Sequence, residues 1–261
     1  MHCLEHYLRV VGPNALGWYF DEEGDMQELD DMGRADVQRR MNQSSTTVLL
    51  SDNPREAGAY MFEYSGKDLH AGFFADDPNA VCALEFWLPT EFLEERGAEA
   101  VRALALDLAA PLPFSSGHAG FSFNALQQLV GVSDEIRRLR SRYPGLDVPG
   151  MGNPDWHIGS RVRGPHWLTF LGSPVLAELG GAAGLRSRLA SPDISVHSLD
   201  DQRVLLTLGP EPDAGDTTLG HRLPLHREVA RLLEPWLFHA PPLRDPVSSA
   251  DTLLWERRFL D

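Results

Sequence analysis

Positive charge is scarce in this chain: 23 Lys and Arg stand against 38 Asp and Glu, for a net charge of −15, and Lys67 is the only lysine. A surface this acidic repels phosphodiesters and anionic headgroups, which argues against nucleic acid or a membrane as ligand. Its complement is a basic protein. The preference for arginine over lysine reads as genome composition, not chemistry. Cysteine is scarce too. Cys3 and Cys82 could form one disulfide but no framework, and free thiols suit a reducing cytoplasm. No apolar run reaches the roughly 18 residues of a membrane span; Ala103–Leu106, for example, is cut short by Asp107. The opening MHCLEHYLRVVGP has no basic stretch, apolar region and small-residue cleavage site in series, so a cytoplasmic location is expected.

Catalytic motifs are also missing. There is no GxxxxGK[ST] phosphate loop, no GxGxxG after a strand, no GxSxG elbow, no HExxH and no CxxC. Each is a spacing that converges groups on one reacting centre. The expectation is therefore no catalytic residue, no metal and no cofactor. Three weaker groupings remain. Ser115-Ser116-Gly117-His118 puts hydroxyls near a histidine, but a nucleophile's base is set by the fold and not by adjacency. Asp155-Trp156-His157 could be read as an acid–base pair, against the plainer reading that Trp156 anchors the second half. Asp213, Asp216, His221 and His226 lie within fourteen residues and support a rival reading, a metal-dependent hydrolase using the Asp213–His226 loop.

What is present suits a globular domain. Apolar residues make up 43% of the 261 and charged residues 23%, enough to bury a real core. Strand patterns are expected at Leu4–Val11, Leu16–Phe20, Thr46–Leu50, Ala59–Tyr64 and Val81–Leu88, with turns at Ser51–Glu56 and Ala75–Asn79. A helix capped by Thr90 should run through Leu93, Ala100, Val101, Leu104 and Leu108 to Pro111. Ala119–Phe123 reads as a strand, and a second helix should start at Asn124 and pass through Leu126, Leu129, Val130, Ile136 and Leu139. After a Pro/Gly-rich stretch at 144–155 come a strand at Trp167–Leu171, a helix opened by Ser173-Pro174 and broken at Gly180-Gly181, and a hairpin of Ile194–Leu199 with Arg203–Leu208. An amphipathic helix through Leu225, Val229, Leu232, Leu233 and Trp236 follows, and Leu253–Leu260 is apolar enough to dock back. The fold class expected is α+β: antiparallel or mixed sheets flanked by amphipathic helices, in a single domain over 1–261. Sub-domains 1–143 and 156–261, joined by loop 144–155 and similar in element order, are an open division.

One charge anomaly stands out. Asp21, Glu22, Glu23, Asp25, Glu28, Asp30 and Asp31 place seven acids in eleven residues, with no base between residues 10 and 33. The run is either a solvated hairpin tip kept soluble by its charge or a surface that steers a basic partner. On the second reading it is the partner-binding site, with Trp18 and Tyr19 just before it as anchors.

Three blocks then carry a resemblance. The first is Tyr143-Pro144-Gly145-Leu146-Asp147. The second is Trp167-Leu168-Thr169-Phe170-Leu171-Gly172 with Leu179-Gly180-Gly181 and Leu185-Arg186. The third is Gly209-Pro210-Glu211-Pro212-Asp213-Ala214-Gly215-Asp216 with Leu223-Pro224-Leu225-His226-Arg227 and Leu233-Glu234-Pro235. Gly117-His118-Ala119-Gly120-Phe121 extends them upstream. In this order they resemble the type VI secretion immunity family, over about residues 85–238, with His226 where an aromatic Tyr is expected. Trp167, Leu168, Thr169, Gly180, Gly181, Gly209, Pro212, Gly215 and Asp216 read as residues that hold the fold. The resemblance implies function by binding: a cytoplasmic immunity protein that blocks a cognate toxin, a basic nuclease domain, in the producing cell. A secretion adaptor or other interaction module is the further alternative.

Overall fold

The computed structural model describes residues 1–55, 57–70, 72–127, 129–151, 154–242 and 246–261. Glu56 of the expected turn, Gln128 of the second expected helix, and Gly152 and Asn153 of the 144–155 loop lie outside the described residues. The class is α+β. The chain forms two compact units, Met1–Pro111 with Asn124–Leu126, and Leu112–Phe123 with Gln127–Asp261. The described part of loop 144–155 lies within the second.

The first unit opens on helix α1 (His2–Val11), where a strand was expected. Cys3, Leu4 and Tyr7 are its buried residues, a helical spacing of i, i+1 and i+4. Glu5 in the first turn and Arg9 in the last suit the helix dipole. The apolar residues do not alternate, so a strand would leave half of them in water. The sheet has order β2-β1-β3-β4-β5, all antiparallel: β1 (Trp18–Phe20), β2 (Met26–Glu28), β3 (Thr46–Ser51), β4 (Met61–Gly66) and β5 (Ala83–Trp87). Helix α2 (Asp31–Met41) follows the β1–β2 hairpin. The single helix expected after Pro89 is two, α3 (Thr90–Arg96) and α4 (Ala98–Ala109). They part at Gly97, whose φ of 81° a residue with a Cβ would adopt only with strain. Pro89, not Thr90, holds the cap position. Tyr7, Phe62, Val48, Leu50 and Leu16 form the core at 0–1% exposure.

The second unit carries a four-stranded antiparallel sheet, order β6-β7-β9-β8: β6 (Ser116–Ala119), β7 (Leu168–Leu171), β8 (Ile194–Ser198) and β9 (Val204–Leu208). Its helices are α5 (Val132–Arg142), α6 (Pro154–His157), α7 (Val175–Glu178), α8 (Gly181–Arg188), α9 (Pro224–Leu233) and α10 (Pro246–Glu256). Every residue of β7 and β9 is buried, which is why both read as unbroken apolar runs. Leu171, Leu179, Leu185, Val204, Leu206, Val229 and Leu233 pack one core. Gly180 and Gly181, at φ 85° and 69°, separate α7 from α8, as the sequence implied.

Three expectations in this unit need correcting. The strand at Ala119–Phe123 lies earlier, at 116–119, because that segment alone pairs along β7. The helix expected from Asn124 begins only at Val132, after Gly131 in the left-handed region. Leu129 and Val130 precede it at 55% and 104% exposure, so they are not a helix's apolar face. Trp156 is 42% exposed and does not anchor the second half.

Candidate protein-binding site

The acidic run folds as the tip of the β1–β2 hairpin and the start of α2, and its seven acids divide by role. Asp21 builds the turn: its carboxylate accepts from the backbone N–H of Glu23 (3.1 Å) and Asp25 (2.8 Å) and from Gln27 Nε2 (2.9 Å). Those bonds hold its pKa below the usual carboxylate range, led by the one from Gln27. Asp30 caps α2, accepting from Gly33 N at 2.8 Å. Glu22 pairs with Arg39 at 2.7 Å. Glu23, Asp25, Glu28 and Asp31 are exposed. Among the described residues, their side chains have no hydrogen bond or ion pair, so they are free for a partner.

The two aromatics before the run also differ. Trp18 is half-buried and stays on the candidate surface. Tyr19 is 9% exposed and packs under α2, where a Cβ on Gly33 would sit 2.7 Å from its ring. Tyr19 supports the hairpin from below and offers a partner no anchor.

In the second unit the sequence blocks meet around one buried carboxylate. Asp147, from the first block, accepts from Arg163 Nε at 3.2 Å and from His118 Nε2 of the upstream block at 3.2 Å. Arg163 also donates to the Val148 and Met151 carbonyls. The backbone N–H of Asp147 reaches Phe121 O, and its carbonyl takes Phe123 N–H, both at 2.9 Å. Burial opposes the Asp147 charge, but Arg163 and the two histidines outweigh it and hold the pKa well below the carboxylate range. His166, 2% exposed, stacks on His118 with ring centroids 3.9 Å apart. Burial, then the neighbouring His118, push its pKa down to about 3, so it is neutral.

The third block joins the first just beside this hub. Gly145 N donates to Ala214 O at 2.8 Å, and a Cβ on Gly145 would lie 2.1 Å from Asp213 O. Arg142 grips Asp216 with Nε at 3.1 Å and Nη2 at 2.7 Å. Asp216 in turn accepts from Thr218 N and Oγ1 at 2.9 and 2.6 Å. Trp167, Leu168 and Thr169 are 0–3% exposed. Gly209 and Gly215 have φ 79° and 65°, and Leu223 closes on Gly215; Pro212 is half-buried beside them. Sequence reasoning quoted Asp147 and His118 but missed that they pair. It missed Arg163 and His166 altogether, because none of these spacings is a motif.

Two of the weaker groupings do not converge among the described residues. Ser116 Oγ donates to Arg161 O at 2.8 Å and not to His118. The Asp213–His226 loop does not converge: Asp213 caps Gly215 N, Asp216 holds Arg142, and His226 is buried against Phe259. Among the described residues, only His118, Asp147 and His166 come close enough to share an ion. Their geometry does not fit one. The two rings stack 19° from parallel, so their in-plane lone pairs run side by side and cannot meet on a metal about 2.0–2.1 Å from both nitrogens. Arg163 already supplies the positive charge.

Comparison with known families places the whole chain. The chain belongs to a family of type VI secretion immunity proteins: residues 1–259 match the model of TsiV, type VI immunity for VRR-NUC. It is thus an immunity protein that neutralises a toxin, and the family likeness extends well beyond the blocks at 85–238. Among solved structures it is similar to the Pseudomonas aeruginosa T6SS protein PA0821, at 19% identity over 99% of this chain and 77% of that one, with a TM-score of 0.81. At that identity the likeness is one of fold. No curated protein matches the chain. No helix among the described residues is long and apolar enough to cross a membrane.

Proposed function

We propose that this chain neutralises a VRR-NUC nuclease by binding it directly and stoichiometrically, in the cytoplasm of the cell that makes it, without catalysing a reaction. The observation that supports this best is the acidic run, where Glu23 and Asp25 on the hairpin turn, Glu28 in β2 and Asp31 at the start of α2 stand exposed and, among the described residues, unpaired. A nuclease must attract phosphate, so its substrate cleft is basic. Carboxylates without partners of their own meet that cleft without first breaking bonds. Such charge raises the association rate, while affinity rests on a few buried anchors across about 1,200–2,000 Å² of interface. Trp18, opposite Glu28 in the hairpin, is the candidate anchor.

Titration of the nuclease tests this. Nuclease activity should fall linearly with added immunity protein and vanish at an equimolar ratio, and the two should co-elute. The protein alone should turn over no nucleic acid, peptide or ester. Inhibition at a small fraction of the nuclease concentration, or turnover lost in folded Asp216→Ala or His221→Ala, would overturn the reading.

A further inference from the structure

A basic groove in this acidic chain lies in the second unit and serves nothing described above. Of about 840 Å³, it is lined by six arginines and His221, with Asp251 and Asp261 the acids among its described lining residues. Its walls come from α5, the 217–222 turn, α9 and the C-terminal segment that packs through Trp255 and Phe259. The local excess is opposite in sign to the net −15 of the chain.

The arginines are unequally satisfied. Arg137 is tied to Asp134 and Asp251, and Arg140 donates to Asp251 O. Arg227 donates to the carbonyls of Arg222 and Asp261. Arg222 and Arg231 are exposed, and among the described residues their side chains have no hydrogen bond or ion pair. Arg258 is the telling one. Its guanidinium stacks 3.7 Å over Trp255 and 4.5 Å from the Phe259 ring. Among the described residues it donates to carbonyls, Nε to Pro144 O at 2.7 Å and Nη1 to Trp255 O at 3.0 Å. Among the described residues no carboxylate reaches it within ion-pair distance. Burial lowers its pKa to about 9, against the weaker pull of Asp147. Arg258 is half-buried, its direct bonds go to neutral carbonyls, and Asp147 and Glu256 act on it only through space; an arriving anion would pair it directly.

We infer that this groove docks an acidic, carboxylate-bearing segment of a protein partner. Arg222 and Arg231 meet the carboxylates at the rim, and Arg258 receives one at the aromatic floor, where its planar fork matches a carboxylate. The volume suits a few side chains. A nucleic acid fits less well: its continuous phosphates would meet Asp251 and Asp261 in the groove and the negative field of the whole chain outside it. The inference deepens the binding function proposed above by adding a basic contact surface to the acidic hairpin.

The test uses the full-length protein and a fluorescein-labelled twelve-residue peptide of alternating Glu and Gly. Its competitors are inorganic phosphate and a single-stranded oligonucleotide of equal charge. Wild type should bind the peptide, and Arg222→Glu with Arg231→Glu should weaken binding at least tenfold with an unchanged melting temperature. Arg222→Lys with Arg231→Lys should keep most of it. Equal binding by the charge-reversed protein would overturn the inference, as would tighter binding of the oligonucleotide or of phosphate. No nuclease enters this assay, so its failure is separate from failure of the hairpin account.

Discussion

Two buried histidines set an acid limit on this protein. Burial, then Arg258, push the His226 pKa down to about 4, against a weaker pull from Asp213. His166 sits at about 3, between His118, Asp147 and the more distant Arg258. Both are neutral when folded and take a proton near 6.5 when unfolded, so the unfolded state binds more protons as pH falls. Their stability contribution is complete above about pH 6.5 and is lost on descent toward 4 and 3, at up to ~1.4 kcal/mol per pH unit for each. Asp147, held below the carboxylate range, adds its own loss once the pH falls below its usual value near 3.8. The melting temperature should therefore fall between pH 7 and pH 5, and His226→Phe, which keeps a ring against Phe259, should reduce the fall. An equal fall in the variant would show that His226 does not carry it. Trp167 belongs at this scale as well. It is 3% exposed, and Trp167→Ala should destabilise by about 3–5 kcal/mol as measured by denaturant unfolding. A variant that melted like wild type but lost its partner would instead make Trp167 an interface residue.

At the scale of elements, the legible parts were those whose pattern is carried by neighbouring residues. The β8–β9 hairpin, the break at Gly180-Gly181 and the amphipathic α9 were readable because period, turn formers and glycine all agree locally. The first helix was missed because His, Glu and Arg interrupt its apolar residues in a segment short enough to pass for a strand. Helix α2 gave almost no signal: it buries only Gly33, Val37 and Arg40. Arg40 is held by the Phe20 and Thr47 carbonyls, which no periodicity reveals. The acidic run was visible as a run, but its division into turn-builder, cap, ion pair and free carboxylates was not. That division depends on which backbone N–H groups the fold aims at each acid. It also decides how the hairpin can be tested, since changing Asp21 or Asp30 would disturb the turn or the helix cap. The Asp147 hub was illegible for a related reason: its members lie 16 and 29 residues apart in sequence and meet only through the sheet of the second unit.

The whole molecule is acidic but unevenly so. Negative charge concentrates in the first unit at a hairpin tip held by its own backbone, and positive charge gathers in one groove of the second. The first, third and upstream blocks, with Arg142 and Arg163 beside them, meet in framework contacts: Gly145 on Asp213 and Ala214, Arg142 on Asp216, Asp147 on His118 and Arg163. The free hairpin carboxylates lie apart from those contacts, whereas the groove shares Pro144 and Arg227 with the blocks. Charge on the tip contributes little to stability, so its removal should alter binding alone. The central claim is that unpaired hairpin carboxylates guide the protein to a basic nuclease. Stopped-flow association with the nuclease, at low and high ionic strength, tests it most directly. Replacing Glu23, Asp25, Glu28 and Asp31 by their amides should slow association about tenfold or more at low salt and much less at high salt, with the melting temperature unchanged. An association rate equal to wild type at low salt would contradict the account and reduce the run to a solvated turn.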